Sequence, residues 1–281
     1  DEAGYAINHT NANGTVAVGH EAGKALTSGA GNTAIGYEAL KTEDTGGGNT
    51  AIGYQALKFN NVDNSAAGNT AIGYQAASNM TANQRNTIIG YQAASGSAGG
   101  VNNNVIIGKE AGTGGTGTLA SAVIIGEKAM NSTANHASTG QVAIGMNALT
   151  ALTSGIENTA VGYQAGLSLT TGTKNTFLGY YAGSQAEDDG NNTFVGRYAG
   201  TNVESDENTF FGTEAGSGVQ GTTVGSQNTS IGYRSMYSYT TANKNTVVGD
   251  AALQLNTTGN QNVHLGFRAG QYNTVGSNMV V

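Results

Sequence analysis

The chain has 281 residues, of which 45 are Gly and none is Pro, Cys or Trp, and it carries 11 basic against 18 acidic residues for a formal net charge of −7. Gly does not recur at every third position, which excludes a collagen helix; the lack of Cys excludes disulfide and thiol chemistry; and the acidic balance, with no basic cluster, argues against nucleic acid and anionic lipid as partners. Only 10% of the residues are charged, too few for a disordered chain this rich in Val, Ile and Thr, and no apolar run approaches the ~20 residues that span a bilayer.

No signal peptide opens the sequence, and Asp1 in place of Met reads as processing or a fragment of something longer. Residues 1–14 read as an N-terminal cap or partial repeat. From about Thr15 a single pattern runs to the C-terminus, so 1–281 is expected to be one repeat domain. The pattern is anchored on a Gly that follows an apolar residue: Gly19, Gly36, Gly53, Gly73, Gly90, Gly108, Gly126, Gly145, Gly162, Gly179, Gly196, Gly212, Gly232, Gly249 and Gly266. Steps between anchors are 16 to 20 residues, with a mean of about 17.6.

With the Gly numbered zero, position −3 is Thr or Val and position −1 is always apolar. Each such triplet predicts a short strand, the first at 16–18, then 33–35 and 50–52, and the last at 263–265. Residues −3 and −1 share a face, and the expected core is therefore the −1 column: Val18, Ile35, Ile52, Ile72, Ile89, Ile107, Ile125, Ile144, Val161, Leu178, Val195, Phe211, Ile231, Val248 and Leu265. Position +3 is Ala except at Ser235, which predicts a close approach between two sides of the coil. Position +4 is only Gly, Ala, Leu or Met, and position +1 is Tyr seven times, from Tyr37 to Tyr233. Position −4 is Asn in twelve repeats: Asn32, Asn49, Asn69, Asn86, Asn104, Asn158, Asn175, Asn192, Asn208, Asn228, Asn245 and Asn262. Stacked amides can bond along such a ladder and cap the turn into each strand.

These columns predict an all-β chain, a parallel β-solenoid or β-roll of about fifteen coils stacked ~4.8 Å apart. Position −2 points away from its two neighbours and is apolar in thirteen repeats, where a solvent-facing strand position would be polar. It is the expected inter-chain face, carried by Ile88, Ile106, Ile124, Phe177, Phe194, Phe210, Val247 and His264.

The run Asn-Thr-Ala-Ile-Gly at 32–36, 49–53 and 69–73 resembles the head repeat of YadA-like domains in trimeric autotransporter adhesins. Its extension Tyr-Gln-Ala, at 54–56, 74–76, 91–93 and 163–165, is similar to head repeats of phage tail fibres and marine bacterial fibre proteins. The resemblance covers the chain from about Thr15 onward. It implies a homotrimer of parallel β-rolls, extracellular on a cell-surface fibre or a virion, that attaches to a host or surface receptor of glycan or protein. The repeat here is longer and more variable than that of the adhesin heads.

No catalytic constellation is expected, nor a cofactor or metal. Glu187, Asp188 and Asp189 share one loop, and Glu43 and Asp44 another; clustered loop acids read as solubility rather than glycoside hydrolysis. The four His, at 9, 20, 136 and 264, are scattered. His264, at −2, could meet two copies of itself on a three-fold axis and hold an ion or water, although a buried neutral ring is the simpler reading. The Tyr column reads either as a sugar-stacking ladder or as rings laid across the next coil with wet hydroxyls. The leading expectation is a non-enzymatic adhesin or fibre segment without membrane insertion of its own. A phage tail-fibre shaft, an ice-binding solenoid and a polysaccharide-degrading spike are the alternatives. Ice binding is disfavoured here because the Thr column shares the face assigned to the core.

Overall fold

In the computed structural model, residues 2–7, 12–61, 67–81, 83–97, 100–114, 117–132 and 138–281 are described. The fold is all-β, a parallel β-solenoid of about 14 turns, and the chain divides into two compact units, Asp1–Gln141 and Val142–Val281. In the first unit the rung strands are β1 (Val16–Val18), β2 (Thr33–Ile35), β3 (Thr50–Ile52), β4 (Thr70–Ile72) and β5 (Thr87–Ile89). They continue, around the two-residue strands β6 (Val101–Asn102), β8 (Leu119–Ala120) and β10 (Ser138–Thr139), with β7 (Val105–Ile107) and β9 (Val123–Ile125). The two-residue strands pair in a separate parallel sheet. The second unit holds β11 (Val142–Ile144), β12 (Thr159–Val161), β13 (Thr176–Leu178), β14 (Thr193–Val195), β15 (Thr209–Phe211), β16 (Thr229–Ile231), β17 (Thr246–Val248) and β18 (Val263–Leu265).

Within each unit, like positions lie over like. Ala34 and Ile35 stand opposite Ala51 and Ile52, and Phe177 opposite Phe194. Register survives a step of 20 residues, with Ile52 still opposite Ile72, because the extra residues are confined to the loops. The ladder alternates in direction: Thr33 N donates to Asn49 O on the following coil at 2.8 Å, and Gly36 N to Val18 O on the preceding one at 2.8 Å.

Two backbone features bend each coil. The anchor Gly has φ near +130° to +140°, a region closed to residues with a side chain, and a Cβ on Gly19 would stand 2.6 Å from the Gly36 carbonyl oxygen. Positions +2 and +4 are left-handed even where they are not Gly, as at Gln55 (φ 56), Leu40 (φ 50) and Leu57 (φ 49). Such a conformation costs an L-residue roughly 1–2 kcal/mol. The turn tolerates that cost because its amides stay in the ladder, Gln55 N donating to Tyr37 O at 2.8 Å and Leu40 N to Ala56 O at 2.9 Å.

The interior corrects the sequence reading. Ile35 is 36% exposed, Val18 57% and Leu265 59%, whereas Ala34, Ala51, Ile88, Ile106, Ile124, Phe177, Phe194, Phe210, Val247 and His264 are fully buried. The −2 column lies inside each coil, and the −3 and −1 columns form its outer face. The residues expected as core (Val18, Ile35, Ile52, Ile72, Ile89, Ile107, Ile125, Ile144, Val161, Leu178, Val195, Phe211, Ile231, Val248, Leu265) are half-buried or exposed in the chain. Those expected on an inter-chain face are core.

The reason is room. A coil of about 17 residues encloses limited space where −2 meets +4, and in several rungs the two positions trade volume, although Ile124 and Met130 are buried together in one. Ala34 is matched by Leu40 and Ala51 by Leu57, both buried, while Phe177 is matched by Gly183, where a Cβ would come within 2.6 Å of the ring. Gly200 under Phe194, Gly216 under Phe210 and Gly270 under His264 are obliged in the same way. In the second unit the Phe177, Phe194 and Phe210 rings stack at 5.3 and 5.1 Å, with Tyr239 edge-on to Phe210 at 5.7 Å. The −3 and −1 side chains stand on the opposite face of the strand and face out.

Candidate functional site

The outward sheet face is the most regular surface of each unit. Its −1 column is aliphatic or Phe at every rung, and Leu178 (45%) and Phe211 (56%) are among its most exposed members. The −3 column beside it is mostly Thr, half-buried at Thr33, Thr50, Thr70 and Thr87 and exposed at Thr209 and Thr246. Beyond the Gly bend, position +1 carries an aromatic ladder. His20, Tyr37, Tyr54, Tyr74 and Tyr91 stack with centroids 5.0–5.2 Å apart and planes within 9°. Each ring lies on the ring of the next coil, and Tyr37, Tyr54, Tyr74 and Tyr91 are exposed.

In the second unit the aromatic cluster widens. Tyr163 stacks on Tyr180 at 5.3 Å, Tyr181 meets Tyr180 edge-on at 4.7 Å, and the Arg197 guanidinium lies 4.4 Å from the Tyr198 ring centroid. Burial raises the Tyr180 and Tyr181 hydroxyls above their ordinary range, and the neighbouring Tyr side chains add to it.

The Asn column is buried and works as a buckle between coils. Asn49 N donates to Asn32 Oδ1 at 2.8 Å, Asn69 N to Asn49 Oδ1 at 3.1 Å, and Asn86 N to Asn69 Oδ1 at 3.1 Å. The same pattern links Asn158, Asn175, Asn192 and Asn208, then Asn228, Asn245 and Asn262. The amide nitrogen donates to the same oxygen, as from Asn104 to Asn86 Oδ1 at 3.0 Å and from Asn245 to Asn228 Oδ1 at 3.0 Å, and also across the coil, as from Asn104 to Leu119 O at 2.9 Å and from Asn245 to Gly259 O at 3.0 Å.

At the N-terminal end, positions +2 and +5 alternate acid and Lys. Lys24 bridges Glu2 and Glu21 at 2.6 Å each, Lys41 bridges Glu21 and Glu38 at 2.5 and 2.7 Å, and Lys58 reaches Glu38 at 2.8 Å. Hydrogen bonds from Lys24 and Lys41 lower Glu21 to about 2. Glu38 also falls to about 2; its burial opposes the shift, and Lys41, Lys58 and Gln55 together outweigh it.

The loop acids have separate fates. Glu43 is buried, accepting from Gly46 N and Asn60 Nδ2 at 2.7 Å each. Asp44 accepts from the Thr27 hydroxyl. Glu187 and Asp188 are exposed, and Thr170 and Thr171 hold the Asp188 carboxyl below its usual range. Burial, followed by repulsion from Asp206, pushes Asp189 up to about 7. His264 is buried with neither ring nitrogen partnered, and burial lowers its pKa. It points into its own coil, so it cannot meet copies of itself on an inter-chain axis. His9 and His136 lie outside the described residues. Among the described residues no group of three potential metal ligands occurs, and no helix is long and apolar enough to cross a membrane.

The sequence reading missed one feature altogether. A groove runs along the +2/+5 corner of the first unit, lined by Gln55, Gln75 and Gln92 with Phe59 among its residues. The repeated Gln at +2 was its only periodic trace. No protein-family model and no curated protein matches the chain.

Proposed function

We propose that the chain is a non-enzymatic segment of an extracellular fibre or adhesin, assembled as a homotrimer through the outward sheet face and serving attachment. The observation that carries this reading is the unbroken apolar −1 column, exposed on the side of the sheet that an isolated chain would turn to water. Like side chains in register at one-rung spacing present a flat ridged surface, and identical parallel copies supply its complement. The resemblance of the Asn-Thr-Ala-Ile-Gly repeat to trimeric adhesin heads favours three copies, and its Tyr-Gln-Ala extension equally fits a phage tail-fibre shaft. No chemistry is assigned to the loop acids.

Light scattering during size exclusion tests this. The wild-type chain is expected to run as a trimer, and Ile52→Lys with Ile72→Lys as a monomer with unchanged β-sheet circular dichroism. A monodisperse wild-type monomer at micromolar concentration overturns it.

The outward position of Thr33, Thr50, Thr70 and Thr87 favours a second reading, the binding of ordered water or ice by a Thr-x-Ile array. The two readings compete for one face. Thermal hysteresis from a monomeric chain would select the second.

A further inference from the structure

In the first unit, the groove along the +2/+5 corner has a volume of about 320 Å³ and a polar lining, with Gln55, Gln75, Gln92, Ser78 and Ser95 along it and Phe59 among its residues. That volume is within the range of small-molecule sites. Its amides are held in place before any ligand arrives: Gln92 Nε2 donates to Gln75 Oε1 at 2.9 Å, Gln75 Nε2 to Gln55 Oε1 at 2.9 Å, and Gln55 Nε2 to Glu38 Oε2 at 2.7 Å. Each amide nitrogen has two N–H groups, and the ladder uses one. The second remains for a ligand, repeated once per rung at ~4.8 Å.

Phe59 breaks the pattern of its own column. At the same position Ala25, Thr42, Asn79 and Gly96 occupy neighbouring rungs, and the Phe59 ring is 43% exposed. Among the described residues, the one ring contact there is with the Lys58 side chain. The Lys58 ammonium lies 4.9 Å from the ring centroid and is matched by Glu38 at 2.8 Å, so this groove offers no uncompensated cation to an acidic ligand. Its main-chain groups are bonded between coils, Gln75 N to Tyr54 O and Ala77 N to Ala93 O among them, which leaves no strand edge for a peptide.

We infer that this groove binds a neutral, extended, β-linked glycan running along the rungs, with the Phe59 face against a sugar C–H face and the Gln amides donating to hydroxyls. The inference gives the attachment reading a ligand class and rests on it for its biological role.

Isothermal titration of the full chain with cellohexaose and with chitohexaose tests it. Saturable binding of at least one is expected, weakened about tenfold by Phe59→Ala, which is a loss of about 1.4 kcal/mol, and weakened also by Gln75→Leu. The exposed ring makes Phe59→Ala neutral to the fold, and circular dichroism checks both variants. Absence of binding to either sugar, equal binding by wild type and both variants, or a preference for a sulfated oligosaccharide overturns the inference. Oligomeric state measured on the same samples separates the two readings: a trimer that binds no sugar sinks only the groove, and a sugar-binding monomer sinks only the fibre.

Discussion

Phe194 and Gly200 provide the sharpest test of how a coil this thin is filled. Phe194 is fully buried, its ring stacked 5.3 Å from Phe177 and 5.1 Å from Phe210. Phe194→Ala removes that ring and should cost about 3–5 kcal/mol. Gly200→Leu alone drives a Cβ into the Phe194 ring, an overpacking of about 1–3 kcal/mol or more. Its left-handed backbone (φ 57) adds about 1–2 kcal/mol, a cost that Leu40 and Leu57 bear at φ 50 and 49 in the same column and that is common to the single and double variants, so it drops out of the coupling. The double variant recreates the pairing of Ala34 with Leu40, so the two losses should partly cancel, with a coupling of about 2 kcal/mol or more in the favourable direction. Guanidinium unfolding followed by circular dichroism measures it. All four proteins need one concentration, because assembly would shift the midpoints, and slopes must be compared because repeat arrays can lose two-state behaviour. Losses that add to within ~0.5 kcal/mol would refute the volume trade.

Two further outcomes follow from buried polar groups. Asn245→Ala leaves Asn262 N without its acceptor at 3.0 Å, while Gly259 O and Asn262 Nδ2 each lose one of two partners and keep Asn256 Nδ2 at 2.9 Å and Gly276 O at 2.8 Å; at about 1–3 kcal/mol for one buried group left unsatisfied, denaturant unfolding should show a loss of that size, and a loss under ~0.5 kcal/mol would mean that the amide ladder is incidental. Asp189 titrates at about 7 in the folded chain against 3.8 for an ordinary Asp, so between those values the folded state keeps a proton that the unfolded state releases, and stability falls as pH rises through that window. Asp189→Asn should abolish that part of the decline and melt above wild type at pH 8, and identical pH profiles for the two proteins would contradict it.

Much of the architecture was legible because a stacked column imposes the same demand on every rung. The anchor Gly recurs since a Cβ at Gly19 meets the next coil, and Asn recurs at −4 since each amide binds the one after it. Which face turns inward was not legible. Alternation shows that Thr33 and Ile35 share a face, but it picks the buried side only when one side is polar, and here Ile35 and Phe177 are apolar on opposite faces. The missing signal was present as a pairing: Ala34 with Leu40, Ala51 with Leu57, Phe177 with Gly183. Opposed sizes six residues apart mark two positions that fill one space. The groove left a fainter trace, because Phe59 falls in a segment whose length varies between repeats, and only folding sets it beside the Gln column.

The inversion bears directly on assembly. Inside a coil, −2 runs from Ala34 to Ile88 to Phe194, and +4 falls from Leu40 to Ala94 to Gly200 in those rungs. No such partner exists for the outward −1 position, whose neighbours in the chain are copies of itself above and below. If water were its only other contact, polar residues would serve there as well, and an exposed sheet edge or face of this kind is ordinarily interrupted by charge. The column instead stays Ile, Val, Leu or Phe through every rung of both units. Interior freedom beside exterior uniformity is the opposite of a solitary globular fold, and it follows naturally if the exterior of one chain is the interior of a larger assembly.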